Sequence, residues 1–140
     1  MLNLKEATLE IVEELKRAGV TIQFYKARSS ESYYLQLDHG VCGSIRISDH
    51  EGKRRYYNRY ELRSDIDDFY ISGGINEIRH YPLSPGGIRN LIFDVLDHRY
   101  SLYKKYGRLK YRRKMNEGAV DSFYQDREEE SYWVDVEMLA

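Results

Sequence analysis

Ser32-Tyr33-Tyr34-Leu35-Gln36-Leu37-Asp38-His39-Gly40-Val41-Cys42-Gly43-Ser44-Ile45-Arg46-Ile47-Ser48 decides the fold class of this chain. Tyr33, Leu35 and Leu37 alternate with Tyr34, Gln36 and Asp38, and Ile45 and Ile47 alternate with Ser44, Arg46 and Ser48. Successive side chains of a strand point to opposite faces, so this period of two marks two half-buried strands separated by a break at His39-Gly40. Upstream, Val20, Ile22 and Phe24 alternate with Thr21, Gln23 and Tyr25, and Ser29-Ser30-Glu31 reads as the loop between strands. Downstream, Asp49-His50-Glu51-Gly52 reads as a four-residue turn ending in glycine, where positive φ is cheap. A further strand is expected from Arg54 to Leu62, and shorter ones at Asp67–Ser72 and Glu77–Tyr81 around Gly73-Gly74. Strands joined by short turns predict an antiparallel β-meander of about four strands.

Helices flank this sheet. Leu4, Ile11, Leu15 and Ala18, with Leu9 and Val12 beside them, repeat at helical spacing opposite Glu6, Glu10, Glu13, Glu14, Lys16 and Arg17. Asn3 with Glu6 three residues later suits a capping box, and Gly19 suits the stop. A second helix starts at Ser84-Pro85, serine as N-cap and proline at the first helical position. Its stripe is Ile88, Leu91, Ile92, Val95, Leu96, Leu102, Tyr103, Tyr106 and Leu109. Gly107 weakens it by about 1 kcal/mol relative to alanine, which leaves a kink or break open, and Asn116 and Gly118 are expected to end it. The class is therefore α+β, with residues 1–118 as one domain and 119–140 as an acidic aromatic tail or docking segment. Both helices should bury their stripes on one sheet face. The other face should carry Tyr34, Gln36, Arg46, Ser48, Tyr57 and Arg59.

The chain has 140 residues, 41% apolar and 32% charged, the balance of a globular domain with a real core. No apolar run is long enough for a transmembrane helix. The start MLNLKEATLE is acidic and amphipathic, unlike a secretory signal. One cysteine allows no intrachain disulfide, and a reducing cytoplasm is the expected setting. Charge is the most uneven property. Residues 1–86 hold 12 basic and 13 acidic side chains, residues 87–118 hold 9 and 3, and residues 119–140 hold 1 and 7. A near-neutral total thus conceals a +6 block followed by a −6 block.

Asp38, His39, Cys42 and Ser44 invite a nucleophile reading, but a catalytic thiol needs a base and an orienting group in fixed geometry, and a polar turn with a small buried thiol is the reading preferred. His39, His50, His80 and His98 match no zinc spacing, so no metal is expected. Asp65, Asp67 and Asp68 lack the later glutamate of a calcium loop. Ser84-Pro85-Gly86-Gly87 lacks the lysine of a P-loop and reads as an ordinary helix start. No cofactor is indicated. The basic block is different: Lys104, Lys105, Arg108, Arg112 and Arg113 interleave with tyrosines, and Lys104, Arg108 and Arg112 recur every four residues. Such a stripe neutralises phosphates, and neighbouring rings stack on bases. Arg54, Arg55 and Arg59 form a second cluster beside Tyr56, Tyr57 and Tyr60. Glu128, Glu129 and Glu130 head an acidic segment that either covers the basic helix or contacts a basic partner.

Ser44-Ile45-Arg46-Ile47-Ser48-Asp49-His50, Gly52-Lys53, Tyr60-Glu61-Leu62-Arg63-Ser64-Asp65-Ile66 and the upstream Ser32-Tyr33-Tyr34-Leu35 together resemble small accessory proteins of phages and prophages of Gram-positive bacteria. The resemblance spans residues 29–66 and reads as a strand–turn–strand hairpin without catalytic groups. The pool of such proteins includes anti-CRISPR and other anti-defence inhibitors. It therefore implies a non-enzymatic, phage-encoded inhibitor in the cytoplasm of an infected host, binding a defence protein or protein–nucleic-acid complex of the Cas9 type. The alternative is a small nucleic-acid-binding accessory or regulatory protein using the basic helix. Direct nucleic-acid contact and a homodimer stay open, and no membrane is expected as partner.

Overall fold

A computed structural model describes residues 2–27, 31–52, 58–73, 77–129 and 134–135, with side-chain surroundings to residue 119. Helix α1 spans Leu4–Arg17 and carries the capping box, Asn3 Oδ1 accepting from Glu6 N at 2.7 Å. The strands are β1 (Ile22–Lys26), β2 (Tyr33–Leu37), β3 (Ser44–Ser48), β4 (Tyr60–Arg63), β5 (Tyr70–Ser72), β6 (Ile78–Pro82) and the two-residue β7 (Val134–Asp135). A 3-10 turn at Asp38–Gly40 links β2 to β3. Helix α2 spans Pro85–Tyr106 and α3 spans Arg108–Glu129.

The chain is α+β, and its sheet is mixed, in the order β5-β6-β4-β3-β2-β1-β7. The expected meander holds for β1, β2 and β3, which pair antiparallel. It fails at β4, which runs parallel to β3, and β6 runs parallel to β4. The hairpin expected around Asp49–Gly52 is thus a crossover. Residues 49–59 connect two parallel neighbours, and parallel pairing needs a connection of about a dozen residues rather than a tight turn. The strand expected from Arg54 begins at Tyr60, residues 53–57 lying outside the described residues.

Helices α1 and α2 cover one sheet face. Leu4, Ala7, Ile11, Val12 and Leu15 of α1 and Ile88, Leu91 and Val95 of α2 bury against Leu35, Leu37, Ile45, Ile47, Leu62 and Tyr81. The opposite face is shielded from solvent at its centre. Arg46, Ser48, Glu61, Arg63 and His80 on it are each at most 5% exposed.

Two further corrections concern the C-terminal half. The basic helix is broken at Gly107, whose φ of +79° ends α2 through Gly107 N–H donating to the Tyr103 carbonyl. The break resets the helical face, so Leu109, expected in the core, is 82% exposed, while Tyr111 is fully buried. Nor do Asn116 and Gly118 end the helix. Gly118 instead sits where α3 crosses the 3-10 turn, and a Cβ there would lie 2.1 Å from the His39 carbonyl oxygen.

Candidate functional site

The α2–α3 elbow gathers the cations singled out by the sequence. Lys104, Lys105, Arg108, Lys110, Arg112 and Arg113 are all exposed. Tyr106 stands at their centre, with the ammoniums of Lys105, Lys110 and Lys114 at 5.2, 5.3 and 4.6 Å from its ring centroid. Lys104 lies 5.5 Å from the Tyr100 ring, and that ring is 63% exposed. Among the described residues none of these cations forms an ion pair. Because α3 starts afresh at Arg108, Lys104 belongs to one helix and Arg108 and Arg112 to the next, so the single continuous stripe becomes a two-helix corner.

The charge layout of α3 runs against its own dipole. Arg108, Lys110, Arg112, Arg113 and Lys114 crowd the positive N-terminal end, and Glu128 and Glu129 fall in the last turn at the negative end. Such an order does not stabilise the helix. It concentrates positive potential at the elbow.

Arg99, counted with the basic block, is spent on the fold. Its Nε donates to Asp38 Oδ2 at 2.6 Å and its Nη2 donates to the Gly19 carbonyl oxygen at 3.2 Å. Asp38 is fully buried, accepts from Thr21 N–H at 2.9 Å and takes the Tyr111 hydroxyl on the same oxygen as Arg99. Burial and the Asp38 hydrogen bond both push the Tyr111 phenol upward, so it stays a donor. Tyr103 stacks on Tyr111 at 4.0 Å. Asp38 therefore ties the entry to β1, α2 and α3 together.

The remaining expected residues disperse. Arg54 and Arg55 lie outside the described residues. Arg59, expected on the open sheet face, turns to the helix side, where its Nε donates to the Tyr60 hydroxyl at 3.2 Å. Glu128 and Glu129 belong to α3, and Glu130 lies outside the described residues. Cys42 is buried, its Sγ 3.8 Å from the Val95 carbonyl oxygen, and burial pushes its thiol up to about 12. Asp65 is engaged by Arg63 through two hydrogen bonds of 2.8 and 2.5 Å. Ser84 Oγ accepts from Gly87 N–H at 3.0 Å, so the helix start is capped by its own serine. Among the described residues no three ligating side chains gather as a metal site.

What the sequence reading missed is a polar row across the second face, buried at Arg46, Glu61 and His80 and open at Tyr70. Tyr25, Tyr34, Arg46, Glu61, His80 and Tyr70 are register partners in turn on β1, β2, β3, β4, β6 and β5. Arg46 donates to the His50 carbonyl oxygen at 2.8 Å and the Tyr34 hydroxyl at 3.2 Å, and lies 3.7 Å from Glu61 Oε1. His80 Nδ1 is 3.1 Å from Glu61 Oε2 but out of line for a hydrogen bond, and its ring stacks on Tyr70 at 4.1 Å. Burial raises the Glu61 carboxyl, with Arg46 and Arg63 opposing it, and lowers the His80 imidazole, so each is shifted toward its neutral form. Gly52 of the crossover lies on this row, where a Cβ would meet Glu61 Oε1 at 2.7 Å. The alternating signal was present at Arg46 and Glu61, but a polar face of a strand reads the same whether water or a crossover covers it.

Comparison with protein-family models, curated proteins and solved structures returns no match.

Proposed function

We propose that this chain is a non-enzymatic binding protein whose α2–α3 elbow engages the phosphate backbone of a nucleic acid. The observation that carries this reading is the concentration of cations around Tyr100 and Tyr106, without ion pairs among the described residues, drawn from the C-terminal turn of α2 and from the start of α3, whose charge order works against its own dipole. Cations placed there contribute little to folding and much to the field that a polyanion meets. Exposed Tyr100 offers a stacking platform beside the backbone contacts.

A second reading keeps the elbow and changes the partner. The resemblance at residues 29–66 and the acidic second half of α3 favour an inhibitor that binds a host defence complex of the Cas9 type in an infected cell. Such an inhibitor meets protein and nucleic acid together, which suits a molecule with two opposite charge blocks.

The test is binding of the full chain to a bare single-stranded oligonucleotide and to a guide-loaded Cas9-type nuclease, each at low and physiological salt. The first reading expects bare binding with a steep salt dependence. Weak bare binding with a tight nuclease complex, and inhibited cleavage, selects the second. Binding to neither overturns both.

A further inference from the structure

Helix α2 carries a second open ring two turns before Tyr100. Phe93 is 67% exposed and Tyr100 63%, the two most exposed aromatic rings among the described residues. Seven residues make almost two full helical turns, so both rings stand on one face, about 10.5 Å apart along the axis. That face is turned away from the sheet, because the fully buried Leu91 and Val95 lie on the opposite side of the helix. Arg89, one turn before Phe93, and Lys104, one turn after Tyr100, share the face and are exposed. Lys104 holds its ammonium 5.5 Å from the Tyr100 ring centroid. Asp97 is exposed between the rings, where it is outnumbered by Arg89 and Lys104 and by Lys105 and Arg108 at the elbow. A single exposed ring is ordinary on a protein surface. Two in line, with a cation beyond each, form a platform with its own counter-charges.

We propose that the outer face of α2 binds a single-stranded nucleic acid, stacking unpaired bases on Phe93 and Tyr100 while Arg89 and Lys104 meet its phosphates. This face depends on the phosphate-binding role proposed for the elbow and adds to it a preference for one form of nucleic acid. In a duplex the bases stack on one another and show a protein only their edges in the grooves. A ring on a convex helix surface then finds no base face to cover. A single strand leaves those faces open, and every base has one. The spacing of the rings equals about three nucleotides at roughly 3.4 Å per nucleotide of a stacked strand, so one strand reaches both and runs on to the elbow. Phe93 has no polar atom and Tyr100 has one hydroxyl, so the contact is made through ring faces and tolerates any sequence. Cations alone accept any polyanion; the rings select the unpaired one.

The test compares binding of the full chain to a labelled single-stranded DNA of mixed sequence and to the same sequence as a blunt duplex, by fluorescence anisotropy at one salt concentration. The single strand should bind at least about tenfold more tightly, although charge density alone favours the duplex. The Phe93→Leu, Tyr100→Leu double variant keeps every cation and an apolar surface but loses both rings. It should bind the single strand at least about tenfold more weakly, with the salt slope of the wild type, because no phosphate contact is removed. In the wild-type chain, a single strand carrying iodouracil should photocrosslink to Phe93 or Tyr100, as mapped by mass spectrometry. Duplex binding as tight as single-strand binding, undiminished binding by the leucine variant, or crosslinks confined to other residues overturns the proposal. In each of these cases, loss of binding in the Lys104→Glu, Arg108→Glu, Arg112→Glu variant leaves the elbow reading standing. Failure of the wild type to bind either form overturns both.

Discussion

The arginines built into the fold, two of them buried and Arg99 half-buried, and the exposed cations of this molecule follow opposite rules. Arg46, Arg63 and Arg99 each have several acceptors. Arg46 reaches Tyr34, His50 and Glu61, Arg63 takes both Asp65 oxygens and the Tyr70 hydroxyl at 2.6 Å, and Arg99 takes Asp38 and Gly19. The elbow lysines face aromatic rings, and among the described residues no elbow cation touches a carboxylate. A buried charge must be compensated within the fold, whereas an exposed one is compensated by water until a partner arrives. The contrast separates cations that hold the structure from cations free to serve a function.

The comparison breaks most readily at Asp38. Asp38→Ala leaves Arg99 without its carboxylate and the buried Tyr111 hydroxyl without an acceptor, and should cost about 3–5 kcal/mol in urea unfolding. A loss under about 1 kcal/mol would mean that the Asp38 knot does not organise α3. Gly118→Ala should come next. Alanine favours a helix over glycine, yet its Cβ collides with the His39 carbonyl, so the variant should be destabilised by about 1–3 kcal/mol. A stabilised variant would show that α3 does not pack on the 3-10 turn.

The buried row is sharpened by pH. His80 has a folded pKa below its unfolded value of 6.5, so the unfolded chain binds the extra proton first. The stability tied to neutral His80 is therefore present above pH 6.5 and is lost as pH falls toward the folded value. Glu61, raised by burial, works the other way at lower pH, because its protonation relieves a buried charge. His98 is also depressed and adds to the loss, so the informative comparison is with the His80→Gln variant, whose melting temperature should fall less steeply below pH 6.5. Equal slopes would remove His80 from the acid response. The smallest effect on folding belongs to the elbow, where Lys104→Glu, Arg108→Glu, Arg112→Glu should change stability by less than about 1 kcal/mol in thermal unfolding.

Local pattern was a good guide where structure is local. The alternation at Tyr33–Leu37 and Ser44–Ser48 locates β2 and β3 at their observed bounds, and Asn3 and Ser84 mark both helix starts. The parallel placement of β4 was not legible, because pairing across residues 49–59 is a long-range choice that no turn signal encodes. Gly107 was visible as a weak point, but whether a glycine bends or ends a helix depends on what the next segment packs against, here the buried Tyr111 on Asp38. The elbow cations were legible from charge counting alone.

The role proposed for the elbow cations is to serve a polyanionic partner and not the fold. Its most direct measurement is the salt dependence of oligonucleotide binding by the wild-type chain and by the folded Lys104→Glu, Arg108→Glu, Arg112→Glu variant. The wild type should bind with log affinity falling steeply against log salt, and the variant should bind at least about tenfold more weakly with a slope shallower by about two to three. Identical affinity and slope in a folded variant would contradict it.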